Sequence, residues 1–257
     1  MKKILITGGN GYIAKSLANA FKNKYDITTI SRSDFDLSNR KDVDTWFKTK
    51  YFDVVIHTAI VGGSRLKPED SAILDQNLNM YYNLLNNKDK FNKFINFGSG
   101  FEFIPNPTPY AISKNTIYNS IIDKPNFYNI RIFGVFDENE WETRFIKTCI
   151  KKYINHQDLE IHKDKYMDFF YMKDLISLVD YYINSNNPPK EIDCTYKESY
   201  KLSDIADIIN NLDSHKVEIN TIETGLAPSY VGQFYEVELN YIGLKQGIKN
   251  VYNKLIN

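Results

Sequence analysis

Residues Met1 to Lys15 read MKKILITGGNGYIAK. Lys3 to Thr7 predict a strand, because Ile4, Leu5 and Ile6 form the short apolar run of a parallel strand buried on both faces. Gly8, Gly9, Asn10 and Gly11 predict a tight turn, and Tyr12 opens a helix. Gly8 lets the chain turn sharply, and Gly11 lets the backbone approach a pyrophosphate with no β-carbon in the way. Tyr12 and Ile13 fall in the first helical turn, where free N–H groups and the positive dipole end meet an anion. A strand, a glycine turn and a helix supply the context that a dinucleotide site requires. A tight βα turn without a ligand would share the same local pattern.

The alternation continues down the chain. Ile13, Leu17, Ala20 and Phe21 recur at helical spacing, and Asp26 to Ser31 predict a second strand. Arg32 stands just past its end. A dinucleotide fold places a carboxylate there for the ribose 2′-hydroxyl, or an arginine for a 2′-phosphate. An arginine points to NADP rather than NAD, a solvated surface arginine being the alternative. A helix over 41–49, a strand over 52–58 and a glycine-bearing loop at Ala59 to Gly63 follow. Next come a helix over 71–86, a strand over 94–97 ending in Gly98-Ser99-Gly100, a helix over 110–122 and a strand over 128–133. This order predicts an α/β fold, a doubly wound, Rossmann-type parallel sheet.

Beyond Gly134 the pattern is less regular. Helices are expected over 141–154, 172–183, 203–211 (with Ser203 as N-cap) and 241–255, with a short strand over 159–161. The expected organisation is a dinucleotide-binding domain over 1–135, joined again by 172–195, and a smaller C-terminal substrate-binding lobe over 136–171 and 196–257.

Composition narrows the function classes. The formal net charge is zero, so no electrostatic footprint for nucleic acid or an acidic membrane is present. No apolar run approaches the roughly 20 residues that span a bilayer. The chain opens directly on a strand, which argues against a secretory leader, and the expected compartment is the cytoplasm. Cys149 and Cys194 read as reduced core thiols, and the four histidines lack metal-binding spacing.

Tyr110 and Lys114 are four residues apart, so a helix sets them on one face. A free phenol, with a pKa near 10, is a poor acid–base group at neutral pH. A neighbouring ammonium favours the phenolate and allows proton exchange with a carbonyl or alcohol oxygen. Ser99, at a strand end, could hydrogen-bond the same oxygen. The spacing alone also arises by chance in a chain this rich in tyrosine and lysine.

These residues carry a family resemblance across essentially the whole chain. It rests on Thr7-Gly8-Gly9-Asn10-Gly11-Tyr12-Ile13-Ala14, Asp36-Leu37, His57-Thr58-Ala59, Asn77, Gly98-Ser99-Gly100, Pro109-Tyr110-Ala111-Ile112-Ser113-Lys114 and Asp168 to Leu175. The chain resembles the extended short-chain dehydrogenases/reductases of the NAD-dependent epimerase/dehydratase family, which modify nucleotide sugars. Val61-Gly62-Gly63 is similar to the corresponding loop of GDP-fucose synthases and related 4-ketosugar reductases. The resemblance implies that Gly8 and Gly11 cradle the pyrophosphate, with Tyr12 and Ile13 beside them. It implies that Arg32 meets the 2′-phosphate, Asp36 and Leu37 border the adenine, and Thr58, Ala59 and Asn77 line the dinucleotide path. Lys114 would hold the nicotinamide ribose and lower the Tyr110 pKa, while Ser99 and Tyr110 bind the sugar oxygen. Val61, Gly62, Phe101 and Arg144 would face the substrate.

Several positions depart from the family pattern. Ala14 replaces the third glycine, Gly134 stands where an asparagine often contacts substrate, and Met167 replaces an arginine that often meets the diphosphate. The eleven-residue step from Ser99 to Tyr110 is shorter than extended members usually carry. Phe101 and Arg144 occupy the places of the cysteine and histidine that epimerise C3 and C5 in GDP-fucose synthases. Neither shuttles protons at neutral pH. Glu102 lacks the neighbouring acid or threonine of the dehydratases. The expectation is an NADPH-dependent reductase of a nucleoside-diphosphate 4-keto-6-deoxy sugar, with no metal. The alternatives are an NAD-dependent nucleotide-sugar 4-epimerase and a catalytically silent dinucleotide-binding regulator. By family analogy a homodimer would form through the helices over 71–86 and 110–122.

Overall fold

The computed structural model describes residues 1–64, 68–105 and 107–256. In chain order the elements are β1 (Lys3–Thr7), α1 (Tyr12–Phe21), β2 (Asp26–Ile30), α2 (Arg40–Phe47), β3 (Phe52–His57), α3 (Ala72–Asn86), β4 (Phe91–Ser99), α4 (Pro109–Ile121) and β5 (Phe127–Ile132). They continue with β6 (Val135–Phe136), α5 (Phe145–Ile154), β7 (Leu159–Asp164), β8 (Phe170–Tyr171), α6 (Met172–Asn184), β9 (Glu191–Asp193), α7 (Leu202–Asn210), β10 (Ile219–Leu226) and α8 (Leu244–Ile256). Among the described residues no helix is long and apolar enough to cross a membrane.

Six strands form one sheet in the order β2-β1-β3-β4-β5-β9, and β1 pairs in parallel with both β2 and β3. Ile4, Leu5 and Ile6 are buried, as are Val54, Val55 and Ile56 on β3, which is the pattern of strands covered on both faces. The strand order reverses between β1 and β3. In open α/β sheets that reversal opens a crevice at the carboxyl ends of the strands, where ligands bind.

Two compact units divide the chain. One comprises 1–131 and 179–192, the other 132–178 and 193–257. The first has its core between sheet and helices, with Leu5, Val55, Phe94, Phe47, Tyr81 and Ile117 packed together. The second has its own core, where Ile150, Tyr153, Leu159, Ile205, Ile248 and Val251 gather around the parallel β7–β10 pair.

Two expectations for the second unit need correction. The helix expected from Trp141 begins at Phe145, and Trp141 itself is 68% exposed. The Glu140 carboxylate accepts the Lys147 N–H at 3.3 Å, which closes a turn ahead of the helix. Ser203 does not cap α7. Lys201 holds the N-cap position and donates its N–H to Asp204 at 2.8 Å, while the Ser203 hydroxyl donates to Asp164 at 2.7 Å.

Candidate active site

The turn after β1 is held by backbone hydrogen bonds, one to the end of β2 and one within the turn. Gly9 N–H donates to Ile30 O and Gly11 N–H to Gly8 O, both at 2.8 Å. Gly8 has φ +69°, and a β-carbon there would lie 2.9 Å from the Cα and N of Ala59. Only glycine fits both the left-handed backbone and the contact with the turn after β3. That second turn is tied to β1 as well. Thr58 Oγ1 donates to Thr7 O at 2.7 Å, and Ala59 N–H donates to Thr7 Oγ1 at 3.2 Å. Thr7 Oγ1 also lies 2.9 Å from Nδ1 of buried His57. Burial, helped by the Lys114 charge, drops that imidazole to about 3, so it is neutral.

Gly11 caps α1 without a side chain, and the first turn of the helix carries no acidic residue. Tyr12 and Ile13 are half-buried there. An uncapped helix N-terminus beside a β-carbon-free turn fits the pyrophosphate of a dinucleotide.

Along the same sheet edge, Ser31 to Asp34 form a turn in which the Asp34 carboxylate accepts the Ser31 N–H at 2.8 Å. Arg32 is exposed on that turn and has no ion-pair partner among the described residues. The Asp36 carboxylate accepts the N–H and hydroxyl of Ser38 at 2.9 and 2.8 Å. Leu37 is buried in the first unit's core, and its carbonyl accepts the Asn83 amide at 3.0 Å. Asn77 is fully buried. Its amide accepts from Val61 N–H and donates to Val61 O, each at 2.9 Å, and donates to Ser113 Oγ at 3.1 Å. Its part in the structure is to shape the Val61 loop. Gly62, next along, has φ +85° and packs against Ile73.

Ser99 ends β4, and its Oγ accepts the Phe101 N–H at 3.2 Å as the chain enters a 3₁₀ turn over Gly100–Phe103. Tyr110 and Lys114 lie on the first turns of α4, which Thr108 caps by accepting the Ala111 N–H. Lys114 is buried, its Nζ donating to Phe97 O and standing 5.8 Å from the centre of the Tyr110 ring. Burial pulls this ammonium down to about 8, with the Glu102 carboxylate working in the opposite direction. Phe101 meets the Tyr110 ring edge-on at 6.2 Å. The first unit thus brings Ser99, Phe101, Tyr110 and Lys114 together on β4, its following turn and α4. Arg144 belongs to the second unit, where it is half-buried at the N-cap of α5. Burial pushes the nearby Glu140 carboxyl up to about 8 against the opposing charge of Arg144.

Sequence reasoning weighs Glu102 only against the dehydratase pattern and misses the polar group it forms beneath Ser99. The Glu102 carboxylate accepts the Ser99 N–H, the Asn129 amide and Arg131 Nε at 3.0, 3.2 and 2.7 Å. The signal for Glu102 was present, since Ser-x-x-Glu is the capping-box spacing. No local signal points to Asn129 and Arg131, which arrive from β5.

The NAD dependent epimerase/dehydratase family model matches residues 4–194. Two relatives from Yersinia pseudotuberculosis align over most of the chain. One, a CDP-abequose synthase, is 24% identical over 211 residues, spanning 72% of this chain and 74% of the relative. The other, a GDP-L-colitose synthase, is 23% identical over 256 residues and spans 83% of each. Among solved structures, a GDP-6-OMe-4-keto-L-xylo-heptose reductase from C. jejuni superposes with a TM-score of 0.74 at 17% identity, over 100% of this chain and 98% of that one. A UDP-glucuronic acid 4-epimerase from Bacillus cereus, crystallised with NAD, gives 0.78 at 18% identity, over 99% of this chain and 100% of its own. These two likenesses show a shared fold.

Proposed function

This chain belongs to the NAD dependent epimerase/dehydratase family, and on that premise we propose that it is an NADPH-dependent reductase of a nucleoside-diphosphate 4-keto-6-deoxy sugar. The observation that carries the reading is the grouping of Ser99, Tyr110 and Lys114 at the carboxyl end of β4, with the Lys114 ammonium beside the Tyr110 ring. NADPH, when bound, supplies a hydride to C4 of the sugar. Tyr110 gives its phenolic proton to the C4 oxygen as the negative charge forms there, and Ser99 orients that oxygen. Lys114 makes the phenolate left behind less costly. The new C–H and O–H bonds together reduce the ketone to an alcohol.

The surroundings favour simple reduction over the family's other chemistries. Glu102 is turned inward onto Ser99 N, Asn129 and Arg131 and is occupied there. Exposed Arg32 at the end of β2 suits the 2′-phosphate of NADPH. In the same reading Gly8, Gly11, Tyr12, Ile13, Thr58 and Ala59 hold the dinucleotide, Val61, Gly62 and Phe101 serve the sugar nucleotide, α3 and α4 form a homodimer interface, and the cytoplasm is the compartment.

The test incubates the purified protein with NADPH and a panel of dTDP-, GDP-, CDP- and UDP-linked 4-keto-6-deoxy sugars, following cofactor absorbance and product by mass. Consumption of NADPH with a two-hydrogen mass gain in one of them is expected. No consumption with any of them would overturn the reading. Protein that purifies with NAD held tightly and interconverts C4 epimers would instead establish the epimerase.

A further inference from the structure

Glu69, in the loop between β3 and α3, gathers three donors on one carboxylate. Its Oε1 accepts the Gly63 N–H at 2.8 Å and its Oε2 the Tyr110 N–H at 3.1 Å, and the Thr108 hydroxyl donates to the same group. Burial works to raise this carboxyl, but the three hydrogen bonds outweigh it and hold it below the ordinary carboxylate range. Tyr110 lies in the first turn of α4, where backbone N–H groups have no partner within the helix. The carboxylate supplies that partner and faces the positive end of the helix dipole.

What this clamp joins is specific. Gly63 has φ +73°, and a β-carbon built on it would lie 2.9 Å from both Cε2 and Cζ of Tyr110. The Gly63 backbone therefore rests on the half of the ring that bears the phenol oxygen. Any other residue would strain the left-handed backbone and push that ring away. One end of the Glu69 carboxylate fixes the backbone of Tyr110, and the other fixes the glycine that backs its ring.

We propose that Glu69 is a positioning residue for the proton donor: by holding Gly63 against Tyr110, it sets where the phenol stands relative to Ser99 and Lys114. This rests on the reading of Tyr110 as the group that protonates the sugar oxygen. Proton transfer needs heavy atoms within hydrogen-bond reach, and a displacement near 1 Å costs about 100-fold in rate. Glu69 makes no contact with the reacting atoms in this scheme, so its loss should appear in kcat and leave cofactor affinity alone.

The experiment measures kcat and the KM for NADPH in Glu69→Ala, Glu69→Gln and Gly63→Ala, alone and combined with Tyr110→Phe. In the otherwise native chain each is expected to lower kcat by about 10- to 100-fold, with the KM for NADPH within about twofold. Added to Tyr110→Phe, none should lower the residual rate further, because the atom they position is gone. Gly63→Ala keeps the carboxylate and displaces the ring directly, so it tests the contact even if a Glu69 variant folds poorly. Native kcat in both Glu69 variants, or equal losses with and without the phenol, would overturn the proposal. If no sugar in the panel is reduced by the native chain, the reductase reading falls alone. A crystal structure of Glu69→Ala then decides this point: a shifted Tyr110 ring supports it, and an unmoved ring refutes it.

Discussion

The backbone N–H of Ser99 donates to the carboxylate of Glu102 at 3.0 Å, so the residue at the end of β4 is pinned from beneath by the acid three places on. A β-carbon at Gly98 would collide with that carboxylate and with the Asn129 amide, which explains why a glycine precedes the serine. The side chain of Glu102 is fully buried and that of Arg131 is 6% exposed, and the guanidinium bridges Glu102 at 2.7 Å to Glu191 at 2.6 Å. Ser99 therefore stands on a buried ion pair anchored in β5 and β9.

Removing one partner of such a pair strands the other's charge in the interior. Glu102→Ala and Arg131→Ala are each expected to destabilise the protein by about 3–5 kcal/mol, and the double variant by clearly less than the sum. Urea unfolding of the three variants measures this. Losses below about 1 kcal/mol would show that the pair does not hold this corner together.

Tyr110→Phe removes the proton and keeps the ring against Gly63. On the reductase reading kcat should fall by about 100- to 10,000-fold, while binding of NADPH, followed by fluorescence, stays unchanged. Native turnover in Tyr110→Phe would end the assignment of Tyr110 as proton donor.

The parts of this molecule written in short-range pattern were legible in the sequence. Ile4 to Ile6 announced a covered strand, the Gly8–Gly11 turn announced the step from β1 into α1, and the four-residue step from Tyr110 to Lys114 put both on one face of α4. Other elements had no such pattern. β10 is exposed along nearly its whole length, and its apolar residues Ile219, Ile222 and Leu226 follow no alternation that would mark a strand, while β9 is only three residues long. Site residues that work through space were equally silent. Glu69 lies 41 positions before Tyr110, and Arg131 lies 29 after Glu102, so only the fold brings each pair together. Asn77 was legible as a position but not in its contacts, since its hold on Val61 depends on where α3 packs.

Arg32 is predicted to decide between the two nicotinamide cofactors. A hydrogen bond to a charged group contributes about 1.5–3 kcal/mol, so Arg32→Ala should raise the KM for NADPH by about 10- to 100-fold. NADH has no 2′-phosphate and should be affected little. Steady-state kinetics with both cofactors gives the ratio, and an equal change in the two would remove Arg32 from the cofactor site.

Lys114 ties the chemistry to stability. Burial lowers its ammonium from 10.5 to about 8, with Glu102 opposing. Between those two values the unfolded chain holds a proton that the folded chain has released, so the stability contributed by this group rises with pH across that window. Below pH 8 both states are protonated, and the folded protein carries the full cost of a buried charge, about 3 kcal/mol. Lys114→Met removes the charge from both states but leaves Phe97 O without its donor. Relative to the native protein, the variant's stability should therefore be greatest near pH 7 and decline by about 3 kcal/mol as the pH rises to about 10.5. Urea unfolding of both proteins across this range tests the slope, and a difference that does not vary with pH would show that the ammonium is not buried at a cost. The same charge is the one that eases the Tyr110 phenolate, so native kcat should fall as pH passes about 8. Lys114→Met should lose nearly all turnover at every pH.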